Sequence, residues 1–292
     1  MRLLIWISLL LPNLFSQVGA AERTPKSIAF YYNSINSVRE LMTYDRVVVT
    51  PNLISQQQIA SLHQAGTQVF AYLSIGEYDG KTLPPSLSDA SSVQNASWQS
   101  HVMDLSAIEW QEHIAALAAQ YMRQGFDGLF LDTLDSYQLF AEQAAHKTKQ
   151  QQELVKIIHD LAAIKPAPIL ILNRGFEVLE PLSGVVHAVA AESLYHAYSP
   201  LSDHYRNVNA EDQAWLRLQL NRVKALGLEV MVIDYIPEND RGAQKQAALR
   251  LLNEGYTPYV SDGLLYQFGV STVKPLARHL PEFFDGRQDT HP

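Results

Sequence analysis

Apolar residues in this 292-residue chain gather in short, nearly unbroken runs, separated by longer stretches of mixed character. Eight runs have strand length: 27–33 (SIAFYYN), 46–51 (RVVVTP), 68–75 (QVFAYLSI), 128–133 (GLFLDT), 168–173 (PILILN), 188–193 (AVAAES), 229–235 (EVMVIDY) and 257–262 (TPYVSD). Most do not alternate between polar and apolar positions, which is the pattern of parallel strands buried on both faces. Between them, 55–64, 108–123, 212–225 and 244–253 read as helices. Each stops just before a glycine (Gly66, Gly125, Gly227 and Gly255), a residue that ends a helix at little conformational cost. A repeated helix–glycine–strand rhythm is the sequence form of βα units. Eight strands in that rhythm predict an α/β fold, a single-domain (β/α)8 TIM-type barrel, for which 292 residues is an ordinary length. A doubly wound open sheet is the competing architecture, weakened because no Gly-rich phosphate loop follows the first strand.

The first twenty residues differ from the rest. Met1-Arg2 leads into an apolar run at 3–11 and then to the small residues Val18-Gly19-Ala20. This is the pattern of a signal peptide, with cleavage expected after Ala20 and 21–292 as the barrel domain. An uncleaved anchor or a buried N-terminal helix is the alternative. The run is short for a membrane span, so the expected product is exported, periplasmic or secreted, with no stable membrane insertion. Two connections, 78–104 and 196–209, are longer than usual. Both follow strands and so should rise over the C-terminal rim of a barrel, where sites are built.

Composition removes several chemistries. There is no cysteine, which excludes disulfides, a thiol nucleophile and Cys-ligated zinc. The net charge is −8 with no basic stripe, which argues against nucleic acid and for a neutral or cationic partner. No HExxH or GxSxG motif is present. No cofactor is expected, although a metal held by carboxylates alone stays open.

Acids end the apolar runs. Glu77 follows the third strand, Asp132 and Asp135 the fourth, and Asn173-Arg174 the fifth. Glu192 ends the sixth strand, Asp234-Tyr235 the seventh and Asp262 the eighth. Carboxylates gathered at one rim repel each other, and some hold protons at neutral pH. Glycoside hydrolysis needs such a set: one carboxyl protonated to donate to the leaving oxygen, another ionised to attack carbon or activate water. Asp132 and Glu192 lie on the fourth and sixth strands, and alternate strands feed the same layer of a barrel, so these two could face each other. The others carry plain alternatives. Asp135 is as well read as a helix cap, Asp262 as a turn former, and Asp234 as a partner of Arg174 or a substrate ligand. Tyr32, Tyr72, Tyr78, Tyr137, Tyr195 and Tyr235 could offer stacking faces to sugar rings, or could be packed with their hydroxyls bonded.

The segments GFDGLFLDTLDSY (125–137), AYLSIGE (71–77), LNRGFE (172–177) and AES (191–193) together resemble PelA-like hydrolase domains and the related endo-α-1,4-polygalactosaminidases of glycoside hydrolase family 114. The likeness runs from about residue 27 to about residue 284. It implies a (β/α)8 barrel and endo-hydrolysis of α-1,4-linked galactosamine or N-acetylgalactosamine polymers. It also implies Asp132 and Glu192 as the catalytic pair. Analogy with other α-glycosidase barrels suggests Asp132 as nucleophile or base and Glu192 as acid. The implied partner is a cationic or partly acetylated amino-sugar polysaccharide. Tyr32, Tyr72, Glu77, Asp135, Asn173, Arg174, Tyr195, Asp234, Tyr235 and Asp262 are the candidate substrate contacts. Relatives often continue into a polysaccharide deacetylase domain, whereas this chain ends at Pro292, so hydrolysis without deacetylation is expected. A carbohydrate-binding barrel that has lost turnover, and a barrel enzyme of other chemistry, are the remaining readings.

Overall fold

The computed structural model describes residues 26–80 and 82–271. The expected signal peptide lies outside them. All eight expected strands form: β1 (Ile28–Tyr31), β2 (Arg46–Val49), β3 (Gln68–Ser74), β4 (Gly128–Asp132), β5 (Ile169–Asn173), β6 (Ala188–Glu192), β7 (Glu229–Tyr235) and β8 (Thr257–Ser261). They lie side by side in chain order, each parallel to the next, as a (β/α)8-type barrel.

The ring is nearly closed. No ladder joins β8 to β1; the segment after β8 bridges the gap. Val260 and Val270 exchange both backbone bonds at 2.8 Å, Tyr32 N donates to Leu265 O at 2.9 Å, and Ile28 N donates to Ser271 Oγ at 3.0 Å. Strand N–H groups alternate in direction, so position 258 faces the same gap as Val260 N. Pro258 stands there and leaves no donor unpaired.

Among the described residues five α-helices cover the outside: α1 (Gln56–Gln64), α2 (Ile108–Gln124), α3 (Ala144–Ala162), α4 (Ala210–Ala225) and α5 (Arg241–Asn253). Ser55 caps α1 through a reciprocal box with Gln58, Asn209 caps α4 and Asp240 caps α5. The four predicted stop glycines all have positive φ, between 74° and 100°. The helix α3 was not expected. It lacks a side-chain cap and is followed by Lys165-Pro166 in place of a glycine, so neither end carries the usual signal. Its first half is polar, yet Gln150 is fully buried, donating to Asp104 Oδ1 at 2.7 Å and accepting from Leu105 N at 2.9 Å. The connections after β1 and β5 contain only 3-10 turns. No helix among the described residues is long and apolar enough to cross a membrane.

Aromatic rings fill the barrel interior. Phe30 packs on Phe130 at 5.1 Å and on Tyr259 at 5.5 Å, and Tyr72 continues the column above Phe130 at 6.3 Å. At the base, Arg46 on β2 grips Glu229 on β7 with two bonds of 2.7 Å, and Thr257 Oγ1 donates to the same carboxylate at 2.6 Å. Both long connections are folded. Residues 77–103 build a three-stranded antiparallel sheet from Glu77–Tyr78, Ser91–Asn95 and Ser100–Met103. Residues 196–207 form a hairpin of His196–Ser199 with His204–Asn207.

Candidate active site

A cleft of about 360 Å3 opens at the C-terminal end of the strands. Side chains reach it by strand parity, because successive residues of a strand point to opposite faces. Asp132, Asn173, Glu192 and Tyr235, each the last residue of its strand, all face in, with Tyr72, Ser74 and Tyr32. Register sets their heights: Ser74 lies beside Asp132, Asn173 beside Ala190, and Ile233 beside Glu192.

One amide joins the two acids. Asn173 Nδ2 donates to Asp132 Oδ1 at 2.8 Å and to Glu192 Oε1 at 2.9 Å. Asn173 is buried, and its Oδ1 has no hydrogen-bond partner among the described residues. Tyr72 Oη donates to the other oxygen of Asp132 at 2.8 Å, and Tyr235 Oη donates to Glu192 Oε2. Tyr32 packs edge-on against Tyr72 with ring centroids 5.2 Å apart.

The two acids are not equivalent. Burial, and then the charge of Asp132, push the Glu192 carboxyl up to about 7. Burial also raises Asp132, but Tyr72, the Thr133 backbone and Asn173 all favour its anion and oppose the rise. The environment therefore holds a proton on Glu192 near neutrality, the condition for a general acid.

The loop after β4 is fixed with unusual backbone. Thr133 has φ 61°, a region that β-branched residues avoid and that costs about 1–3 kcal/mol. Its Oγ1 bonds to Asp132 O at 2.6 Å and Ser74 Oγ at 2.8 Å, and accepts from Gly76 N at 2.8 Å. The turn after β3 presses against it: a Cβ on Gly76 would stand 2.2 Å from Thr133 O, so only glycine fits. Glu77 touches the cleft, but its buried carboxylate accepts from Asn95 at 3.0 Å and from the hydroxyls of Ser100 and Ser136. Those three donors make it the tie between the long β3 loop and the β4 loop.

Five expected substrate contacts are placed elsewhere, and parity explains two of them. Asp234 precedes inward-facing Tyr235 and is therefore turned outward and fully buried. It accepts from Leu194 N at 2.7 Å and Tyr195 N at 3.1 Å, which holds the turn after β6 rather than Arg174 or a ligand. Arg174 is likewise one step past Asn173; it pairs with Asp135 at 3.6 Å and leans on Trp215, so neither Arg174 nor Asp135 lines the cleft. Tyr195 is buried on the helical side, its hydroxyl bonded by Glu254 and Arg217. Asp262 accepts from Leu264 N and Tyr266 N at 3.2 Å and from Gln267 N at 2.8 Å, and so forms a turn. That turn sends Leu264 and Tyr266 into the cleft wall. Tyr137 is buried, with its hydroxyl accepting from Gln151 at 3.0 Å.

The exposed ring at the cleft edge was not anticipated. Trp98 lies in the hairpin turn between Ser91–Asn95 and Ser100–Met103 and lines the cleft while 60% exposed. Tyr266, 45% exposed, lines it too. A single Trp inside a Ser-, Pro- and Asp-rich stretch was the available signal, since burial does not explain a large apolar ring in a polar loop. Replacing Trp98 with Ala should raise KM for a carbohydrate polymer about tenfold, the worth of one stacked ring. The melting temperature should hardly move, because the ring packs little against the protein. Michaelis–Menten analysis beside thermal unfolding checks both; a fall in Tm with unchanged KM would make the ring structural.

Acids at the C-terminal mouth of a (β/α)8 barrel define a class to which many glycoside hydrolases belong. The chain belongs to glycoside-hydrolase family GH114, whose profile matches residues 15–276. Its structure is similar to that of the glycoside hydrolase domain of PelA from Pseudomonas aeruginosa, with a TM-score of 0.81 and 38% identity over 86% of this chain and 100% of that one. Ega3 of Aspergillus fumigatus, solved in complex with galactosamine, shares the fold at a TM-score of 0.63 and 15% identity, over 86% of this chain and 98% of that one. An uncharacterised protein of Methanocaldococcus jannaschii is 25% identical over 234 residues, which are 71% of this chain and 64% of that protein, so this chain spans less than two thirds of that relative. Among the described residues no group of three or more His, Cys, Asp or Glu is arranged to hold a metal ion.

Proposed function

We propose that this glycoside hydrolase is an exported endo-hydrolase of α-1,4-linked galactosamine and N-acetylgalactosamine exopolysaccharide, using Asp132 and Glu192. The observation that carries the reading is the Asn173 amide, which bonds both carboxylates at once on the floor of an open cleft. Laid end to end, its two bonds keep the nearest oxygens of the two acids closer than the separation of about 6.5–9.5 Å that inverting carboxyl groups keep for a water. They suit the ~5–5.5 Å of retaining pairs. In the retaining course, an Asp132 oxygen attacks the anomeric carbon while Glu192 gives its proton to the departing glycosidic oxygen. A glycosyl ester on Asp132 results. Glu192, now ionised, takes a proton from water; the water oxygen bonds to the same carbon, and the Asp132 carboxylate leaves. The raised Glu192 carboxyl supports this division of roles.

Substrate identity rests on the family and on the galactosamine bound by a structural neighbour. The net charge of −8 suits a polymer bearing free amines. Export rests on the N-terminal pattern. The test is to incubate the purified chain with partly de-N-acetylated α-1,4-galactosamine polymer, assay new reducing ends, and follow the anomeric configuration by NMR. Reducing ends of retained configuration are expected. Binding without cleavage would instead make the protein a polysaccharide-binding barrel.

A further inference from the structure

A second cavity of about 300 Å3 adjoins the cleft, walled by Tyr78, Trp110, His113 and Tyr121. The two share Thr50, Tyr72, Ser74, Glu77 and Asp79, so the second cavity lies directly beside the acid-lined cleft, on the α2 side of the rim. At this junction the acids differ in what they have left to give. Glu77 spends its carboxylate on Asn95, Ser100 and Ser136. Asp132 and Glu192 are held by Tyr72, Asn173 and Tyr235 and are committed to the bond being broken. Asp79 is exposed, and among the described residues its carboxylate makes no hydrogen bond or ion pair. It is the one carboxylate lining both cavities that is open to a ligand.

We propose that Asp79 is a specificity-determining residue, which binds the protonated C2 amine of a galactosamine unit next to the scissile linkage and so favours de-N-acetylated polymer. The inference rests on the function proposed above and deepens it. The chemistry is selective because an ammonium offers a positive charge and three donors, whereas an acetamide offers one neutral N–H and a methyl group. The Tyr78, His113 and Tyr121 side of the second cavity gives the sugar ring apolar and aromatic surface beside that charge. An aromatic wall with one unspent carboxylate beside it is a reader of amino sugars.

Two measurements test the assignment. The first compares wild type with Asp79→Asn on α-1,4-galactosamine polymer prepared fully N-acetylated and largely de-N-acetylated. The ratio of kcat/KM between the de-N-acetylated and acetylated forms should fall about tenfold in the variant, through KM, and Asp79→Glu should restore part of it. The dependence of KM on salt should flatten with it, since an exposed charge pair is screened. The second measures binding of a de-N-acetylated galactosamine oligomer by calorimetry, in Glu192→Gln and in Glu192→Gln/Asp79→Asn proteins, and does not need turnover. About tenfold weaker binding in the double variant supports the assignment even if the wild type cleaves neither polymer, a result that would sink the proposed function alone. An unchanged ratio, or equal binding by the two proteins, overturns the role of Asp79 while leaving the hydrolase reading intact. Absence of binding in both proteins overturns the two together.

Discussion

Glu192→Gln and Asp132→Asn should each cut the release of reducing ends by about a thousandfold or more, the scale of losing a general acid or a nucleophile. The informative part is what happens to stability. In the folded protein Glu192 is pushed up to about 7 from its ordinary 4.5. A group with a raised folded-state pKa contributes its stability fully below the unfolded value and loses it as pH rises through the folded one. Wild type should therefore be penalised above pH 7 by about 3 kcal/mol, because each tenfold change in proton affinity is worth about 1.4 kcal/mol. Gln carries no charge; its one oxygen can accept from Asn173, and its NH2 can donate to the Tyr235 hydroxyl. The inactive Glu192→Gln protein should melt higher than wild type near pH 8, with the advantage fading toward pH 4.5. Thermal unfolding across that range reads it directly. A variant that melts lower than wild type at every pH would sink the pH-linked penalty, and one without a melting transition has lost its fold, so that its inactivity would say nothing about catalysis.

That trade between activity and stability follows from where the acids lie, and their positions were largely legible in the sequence. Eight apolar runs with helices stopped at Gly66, Gly125, Gly227 and Gly255 are enough to predict a barrel, because buried parallel strands and positive-φ stops leave local marks. The helix α3 left no such marks, since its ends rely on Gln143 and on Pro166, and its buried Gln150 reads as polar surface. The site divides the same way. Strand-final Asp132, Asn173, Glu192 and Tyr235 share the inward face. Asp234 and Arg174 differ from them by a single step, and a step of one residue reverses the face. An apolar run buried on both sides shows no alternation, so it hides its own parity, and Asp234 could not be told from Tyr235 by pattern alone. Trp98 and Asp79 belong to a long connection whose path over the rim is set by contacts distant in sequence, among them the hydroxyl of Ser136 on the Glu77 carboxylate. Its length and its place after a strand drew attention to the loop without saying which of its residues would turn toward the acids.

Asn173 carries the most weight for its size, and Asn173→Ala should lower kcat/KM about a hundredfold, comparable to removing one preorganised donor from an active site. On the proposed mechanism, turnover in wild type needs Glu192 protonated and Asp132 ionised. The profile of kcat/KM against pH should therefore rise as Asp132 ionises and fall as Glu192 loses its proton near pH 7. The Asn173 amide donates to both anions and lowers both groups. Taking it away disfavours each charged form, so both limbs should move to higher pH together. A loss of packing alone would lower the whole curve without displacing it, so the shift separates an electrostatic role from a structural one. If the falling limb of Asn173→Ala stays where wild type has it, the shared amide does not tune the Glu192 carboxyl, whose elevation then rests on burial and the charge of Asp132 alone.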